Sequence, residues 1–312
     1  MKIRLGYACI TNALDITSSS TLTYKYYKKL GEEYGNEKLD KIIKSNFEAL
    51  KEILNYNIKN QIYFYRMTSN LIPLATHPNV SYEVFKKYEK EFIEIGNIIK
   101  NNNLRVDMHP DQYCVLNSIN ESTINSTINI LEFCQNMFNA MQINSNLVLH
   151  IGSKTNGKKE SMKRFIDNFN LLNKELKEMI ILENDDKTYN IRNTLKIANT
   201  LNIPMVLDYH HYKCNNNNEK IENYIEKIFS TWKTTPKIHF SSPKNKKEKR
   251  SHNEYIDSDE FIKFIEKIKF VNKDFDIMIE AKGKDDAMFR LIRQLKYKTN
   301  YKFINETTFL VK

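Results

Sequence analysis

Short apolar runs alternate with amphipathic ones along nearly the whole chain. Runs rich in β-branched and aromatic residues occur at 3–9, 62–68, 104–109, 147–151, 179–183, 203–208, 237–241 and 276–281. Each is five to seven residues long and reads as a strand. Between them the period changes. In 39–54, Leu39, Ile42, Ile43, Phe47, Leu50, Ile53 and Leu54 step by threes and fours, the spacing of one helix face. The segments 83–100, 124–141, 161–177, 191–201, 219–232, 259–269 and 285–296 follow the same rule.

Eight strands separated by helices predict parallel βα units, because parallel neighbours need a crossover. Eight units close most naturally into a (β/α)₈ TIM barrel of the α/β class. An open doubly wound sheet is the rival, and its nucleotide-binding forms lose support because no glycine-rich phosphate motif follows any strand. The expected organisation is one barrel domain over 1–297 and a C-terminal extension over 298–312. Residues 16–36 and 242–257 are the two large excursions.

Barrel active sites lie where strands end and βα loops begin. His109, His150, Glu183, Asp208, His239 and Glu280 fall at those ends, with His210 and His211 directly after Asp208. His77 lies in the loop after the second run, and His252 in the loop after the seventh. A single such histidine is most often a hydrogen-bonded structural group. Together they gather imidazoles and three carboxylates on one face, a costly arrangement without a compensating cation. Nitrogen and oxygen donors without thiolate suit Mn²⁺ foremost, then Zn²⁺, with Mg²⁺ a poorer fit because imidazoles are so numerous, and the number of donors calls for two or three ions. Closely spaced ions serve phosphoester hydrolysis. Lys237 stands two positions before His239, so both side chains share a face. A buried lysine there would lose its charge readily and could add carbon dioxide to become an anionic ligand.

Composition narrows the partner. The 312 residues carry a net charge of +10, which favours a polyanion, although a lysine-rich composition alone would produce the same number. Lys244, Lys246, Lys247, Lys249 and Arg250 cluster in one loop. Four cysteines lie far apart, as in a reduced compartment. No apolar stretch is long enough for a membrane span, and the N-terminus reads as a first strand rather than a signal peptide. A cytoplasmic monomer acting on a nucleic acid is expected, with no nucleotide cofactor.

Nine motifs then carry a resemblance: RLGYAC (4–9), PLATHP (73–78), MHPDQY (108–113), LHIG (149–152), LENDDKTY (182–189), LDYHH (207–211), PKIHFSSPK (236–244), RSH (250–252) and MIEAKGKD (278–285). In this order they resemble the UV damage endonucleases, barrels of the endonuclease IV-like form. The resemblance implies metal-dependent nicking of double-stranded DNA immediately 5′ to cyclobutane dimers, 6-4 photoproducts and other lesions. It implies His77, His109, His150, Glu183, Asp208, His211, His239 and Glu280 as metal ligands, with Glu183, Glu280, Lys237 and His252 in catalysis. Lys237 matches a lysine that is carboxylated in family members. Tyr7, Asn12, Gln112 and Tyr113 match residues that probe the lesion. An apurinic-site endonuclease or sugar isomerase on the same barrel, and a non-catalytic DNA-binding barrel, are the alternative readings.

Overall fold

The computed structural model describes every residue except Gln112. Among the described residues the elements run β1 (Lys2–Ala8), α1 (Tyr24–Leu30), α2 (Glu32–Lys59), β2 (Phe64–Met67), α3 (Val84–Lys87), α4 (Glu89–Asn101), β3 (Arg105–Met108) and α5 (Glu121–Ala140). There follow β4 (Asn146–His150), α6 (Lys158–Leu171), α7 (Lys174–Met179), β5 (Ile180–Glu183), α8 (Ile191–Leu201), β6 (Met205–Asp208) and α9 (Tyr209–Cys214). The chain continues through α10 (Ile225–Ser230), β7 (Lys237–Phe240), α11 (Ser258–Ile268), β8 (Phe275–Ile279), α12 (Lys284–Lys298), β9 (Lys302–Phe303) and β10 (Thr308–Leu310). Strands β1 to β8 pair in parallel, in order, and β1 pairs with both β8 and β2, so the sheet closes into a (β/α)₈ barrel.

All eight expected strands form. The helices differ at their edges. Residues 32–38 and 55–59 extend the apolar-faced segment 39–54 into α2, with only Gly35 and Asn57 of them buried. The run 161–177 splits because Asn173 caps a new helix, accepting from the Leu176 amide at 2.8 Å. The excursion 16–36 contains α1 and the first turn of α2.

The tail, expected as an extension beyond the barrel, folds back as the β9–β10 hairpin. Lys2–Arg4 of β1 pair antiparallel with 308–310, and the Thr307 hydroxyl donates to the Gln61 carbonyl at 2.6 Å. The hairpin therefore wedges between β1 and the entry to β2, at the end of the barrel opposite the strand C-termini.

Inward positions alternate along each strand. One side of the interior is apolar: Val148, Ile181 and Val206 pack with Trp232, each two positions before His150, Glu183 and Asp208. The other side is charged. Asp276 pairs with Arg4 and Arg105, each at 2.6 Å, and Asp107 pairs with Lys237 and Arg66. The charged column leads up to the strand C-termini.

Candidate metal centre

Glu183, the last residue of β5, is almost fully buried and stands at the middle of the strand ends. Its Oε2 lies 3.1 Å from His109 Nε2 and 3.7 Å from His150 Nε2. Its Oε1 lies 3.0 Å from His239 Nδ1 and 3.5 Å from His211 Nδ1. Potential ligand atoms converge within 4.8 Å in two groups that share this carboxylate: His109, His150 and Glu183, and Glu183, Asp208, His239 and Glu280.

The chain's local chemistry aims these donors. Pro110 follows His109, and its carbonyl lies 3.0 Å from His109 Nδ1. A carbonyl only accepts, so Nδ1 carries the proton and the Nε2 lone pair faces Glu183. His211 is held likewise, its Nδ1 3.0 Å from the Asn184 carbonyl. Asp208 ends β6 and caps α9, accepting from the His211 amide at 2.7 Å. Asn184 and Asp208 exchange side-chain and backbone hydrogen bonds at 2.9 Å, tying β5 to β6.

The electrostatics favour added positive charge beside Asp208. Burial pushes the Asp208 carboxyl well above the usual carboxylate range, and the charges on Glu183 and Glu280 push the same way against His211. Burial would also raise Glu183, but His239, His150 and hydrogen bonds from His109 and His211 hold it well below that range. Among the described residues Asp208 Oδ2 and His150 Nδ1 are buried without hydrogen-bond partners. The His109 lone pair turned toward Glu183 and the orphaned Asp208 oxygen are what a site built for divalent metal presents. The residues fit such ions.

Not every expected ligand converges. His77 belongs to neither group; its ring stacks on Tyr24 with centroids 3.8 Å apart, and its Nδ1 accepts from the Asn79 amide at 3.2 Å. His211 lies outside the two tight groups but touches both Glu183 and Asp208. His210 is fully buried, with its ring 5.2 Å from that of His252. His252 stands 6.4 Å, ring to ring, from His211, and burial lowers its pKa. Lys237 is fully buried beneath His239 and ion-paired with Asp107; burial pulls its pKa down to about 8 despite that carboxylate.

The expected recognition residues separate. Tyr113 is 75% exposed and Asn12 is exposed. Gln112 lies outside the described residues. Tyr7 has no exposed face to offer a nucleotide: it is fully buried and its hydroxyl donates to Asn57 at 2.7 Å. The alternation of β1 sends it outward into the layer under α2.

Arg66 was not legible as a site residue. It is the one charged residue in the run 62–68, and its guanidinium is buried and donates to Glu280 Oε1 at 2.6 Å and to His239 Nε2 at 2.7 Å. A guanidinium only donates, so His239 Nε2 accepts and its proton sits on Nδ1, toward Glu183. Asp107 was missed too. Its place two residues before His109 was the available signal, since it faces inward with that ligand.

The fold and site together define a (β/α)₈ barrel with a histidine–carboxylate constellation that could hold metal at the C-terminal ends of its strands. The model of the UV-endonuclease UvdE family matches residues 3–309. The UV DNA damage endonuclease of Bacillus mycoides (strain KBAB4) is 39% identical over 315 residues, covering 99% of each chain. That of Bacillus cereus (strain B4264) is 39% identical over 302 residues, covering 95% of each. The crystal structure of SacUVDE superposes with a TM-score of 0.87 at 32% identity, over 95% of this chain and 98% of that one. A D-tagatose 3-epimerase-like protein, at 16% identity and a TM-score of 0.57, shares the fold alone. The chain belongs to the UV-endonuclease UvdE family and is a DNA-repair endonuclease.

Proposed function

We propose that this protein cleaves the backbone of double-stranded DNA immediately 5′ to UV photoproducts, both cyclobutane dimers and 6-4 photoproducts, in a metal-dependent reaction. The observation that carries the reading is Glu183, whose two carboxylate oxygens face two different sets of donors. A carboxylate so placed could serve two neighbouring ions. Two or three divalent ions, Mn²⁺ foremost, would be held by His109, His150, Glu183, Asp208, His211, His239 and Glu280. Such ions stabilise charge building on a phosphate and ease deprotonation of water at neutral pH.

The chain's own residues divide the remaining work. Arg66 holds Glu280 and His239 in place from below. Burial keeps the His252 imidazole neutral, so it can donate or accept a hydrogen bond at the scissile phosphate. Lys237, with its pKa lowered to about 8 by burial, can lose its proton and add carbon dioxide; the carbamate would supply a further anionic donor. Lys246 and Lys249 are exposed and form no ion pair among the described residues, which suits them to backbone phosphates. Tyr113, four residues after His109, offers an exposed ring on which an unstacked base can settle. Damaged nucleotides are poorly stacked and cost less to extrude.

The test is nicking of irradiated against intact plasmid, with chelator and then with Mn²⁺ restored. Preferential, chelator-sensitive nicking of irradiated plasmid is expected, with the cut mapped by primer extension. Equal nicking of both plasmids, or full activity in metal-free protein, overturns the reading.

A further inference from the structure

The turn joining β8 to α12 touches the loops on both of its sides. On one side, the Lys282 amide donates to the Asn253 carbonyl at 3.0 Å and the Gly283 amide to that of Glu254 at 2.9 Å, directly after His252. A Cβ at Gly283 would stand 2.8 Å from that Glu254 oxygen, so the approach demands glycine. On the other side is Asp285, fully buried. Its Oδ2 accepts from the Thr11 hydroxyl at 2.7 Å and the Tyr56 hydroxyl at 2.8 Å, and its Oδ1 from the Asn12 amide at 2.7 Å.

The donors decide what this carboxylate does. Asp285 sits in the first turn of α12, where any acidic residue would be favourable. A cap, however, would accept from amides of its own helix. All three donors lie elsewhere, two in the loop after β1 and one in α2. A buried carboxylate with three donors is a rigid tie. It joins the loop carrying exposed Asn12 to the segment that begins with Glu280, itself fixed by its amide to the Phe240 carbonyl at 2.9 Å.

We propose that Asp285 is a positioning residue for substrate selection: it holds the β1 loop and Asn12 in register with the metal centre, and so sets how strictly damaged DNA is preferred. This rests on the DNA-damage reading above.

The experiment compares Asp285→Ala, Asp285→Asn and Thr11→Val with the parent, in the full-length metal-loaded protein. Amide hydrogen exchange at Asn12 reads the tie itself. The ratio of nicking rates on irradiated and intact plasmid reads its consequence. In Asp285→Ala the Asn12 amide should exchange at least about tenfold faster and the ratio should fall about tenfold, with metal content unchanged. Asparagine can still accept from the Asn12 amide while the two hydroxyls reverse their roles, so Asp285→Asn should recover most of both readouts. Thr11→Val should lower the ratio without touching α12, and it decides the question if Asp285→Ala fails to fold. The proposal is overturned if Asn12 exchange is unchanged in Asp285→Ala, if Asp285→Asn is as impaired as alanine, or if both plasmids are slowed equally. A parent protein that does not favour irradiated plasmid would instead overturn the functional reading, while the exchange measurement still decides the tie.

Discussion

Arg66 Nη1 lies 2.6 Å from Glu280 Oε1, in a buried ion pair that joins β2 to the end of β8 beneath the metal centre. The same guanidinium is 3.5 Å from Asp107. Removing it takes the cation from Glu280, while Asp107 keeps Lys237, and breaking a buried pair costs roughly 3–5 kcal/mol. Arg66→Ala should therefore lose stability of that size in urea unfolding of chelated protein. A loss below about 1 kcal/mol would show that Glu280 is compensated by other groups.

Glu183→Gln removes the charge shared by both donor groups. Metal affinity should fall by more than the roughly 10–100-fold that losing an outer partner costs, with nicking lost alongside. In chelated protein the histidines that hold Glu183 ionised lose their shared partner, so the variant should also be less stable than the parent at neutral pH. The two effects separate in melting curves: Mn²⁺ should raise the parent's Tm and leave that of Glu183→Gln nearly unmoved. Equal shifts would remove Glu183 from the centre.

Tyr113→Ala deletes a ring that is 75% exposed. Stability should stay within about 0.5 kcal/mol. Binding to lesion-containing duplex should weaken by roughly 1–3 kcal/mol, the worth of one stacked base, with intact duplex little affected. Equal weakening on both duplexes would make Tyr113 a general DNA contact.

Lys246→Ala and Lys249→Ala should each flatten the slope of log affinity against log salt by about 0.9 if each contacts one phosphate. Lys244 is paired with Glu248 at 2.7 Å, so Lys244→Ala should change the slope less. Slopes for intact duplex over a salt series decide it, and an unchanged slope in both variants places the DNA elsewhere.

Asp40 ties α2 to the α3–α4 junction. Burial would raise its carboxyl, but Lys87 and Tyr88 hold it below the usual 3.8. A depressed folded pKa means the unfolded chain takes up the proton first. The contribution is therefore present in full above about pH 5 and is lost as pH falls below 3.8 through the lower folded value. The Tm difference between the parent and Asp40→Asn should be constant from pH 5 to 7 and shrink towards pH 3. A difference that grows in acid would reverse the sign.

Local pattern carried the barrel and most of its site. Period-two runs were separable from period-3.6 runs, and a parallel strand end is a fixed place in a barrel, so His109, His150, Glu183, Asp208, His239 and Glu280 could be placed on one face. His77 sits in a loop rather than on a strand, so strand spacing does not place it; its ring stacks on Tyr24. Tyr7 shows the limit of that logic. Its side of β1 depends on register with β2 and β8, and a shift of one residue exchanges faces.

The order of strands and helices, the face on which the ligands gather and the inward pairing of Lys237 with His239 follow from the sequence alone, because each rests on spacing between residues close in the chain. Tertiary structure decided what lies between distant segments. Arg66 meets Glu280 across 214 positions, and Asp285 meets Thr11 across 274. It also decided that the tail hydrogen-bonds to β1 and Gln61 and that Tyr7 is buried. No local period encodes these contacts: they arise when the barrel closes, and buried charges and hydroxyls must then find partners wherever closure has brought them.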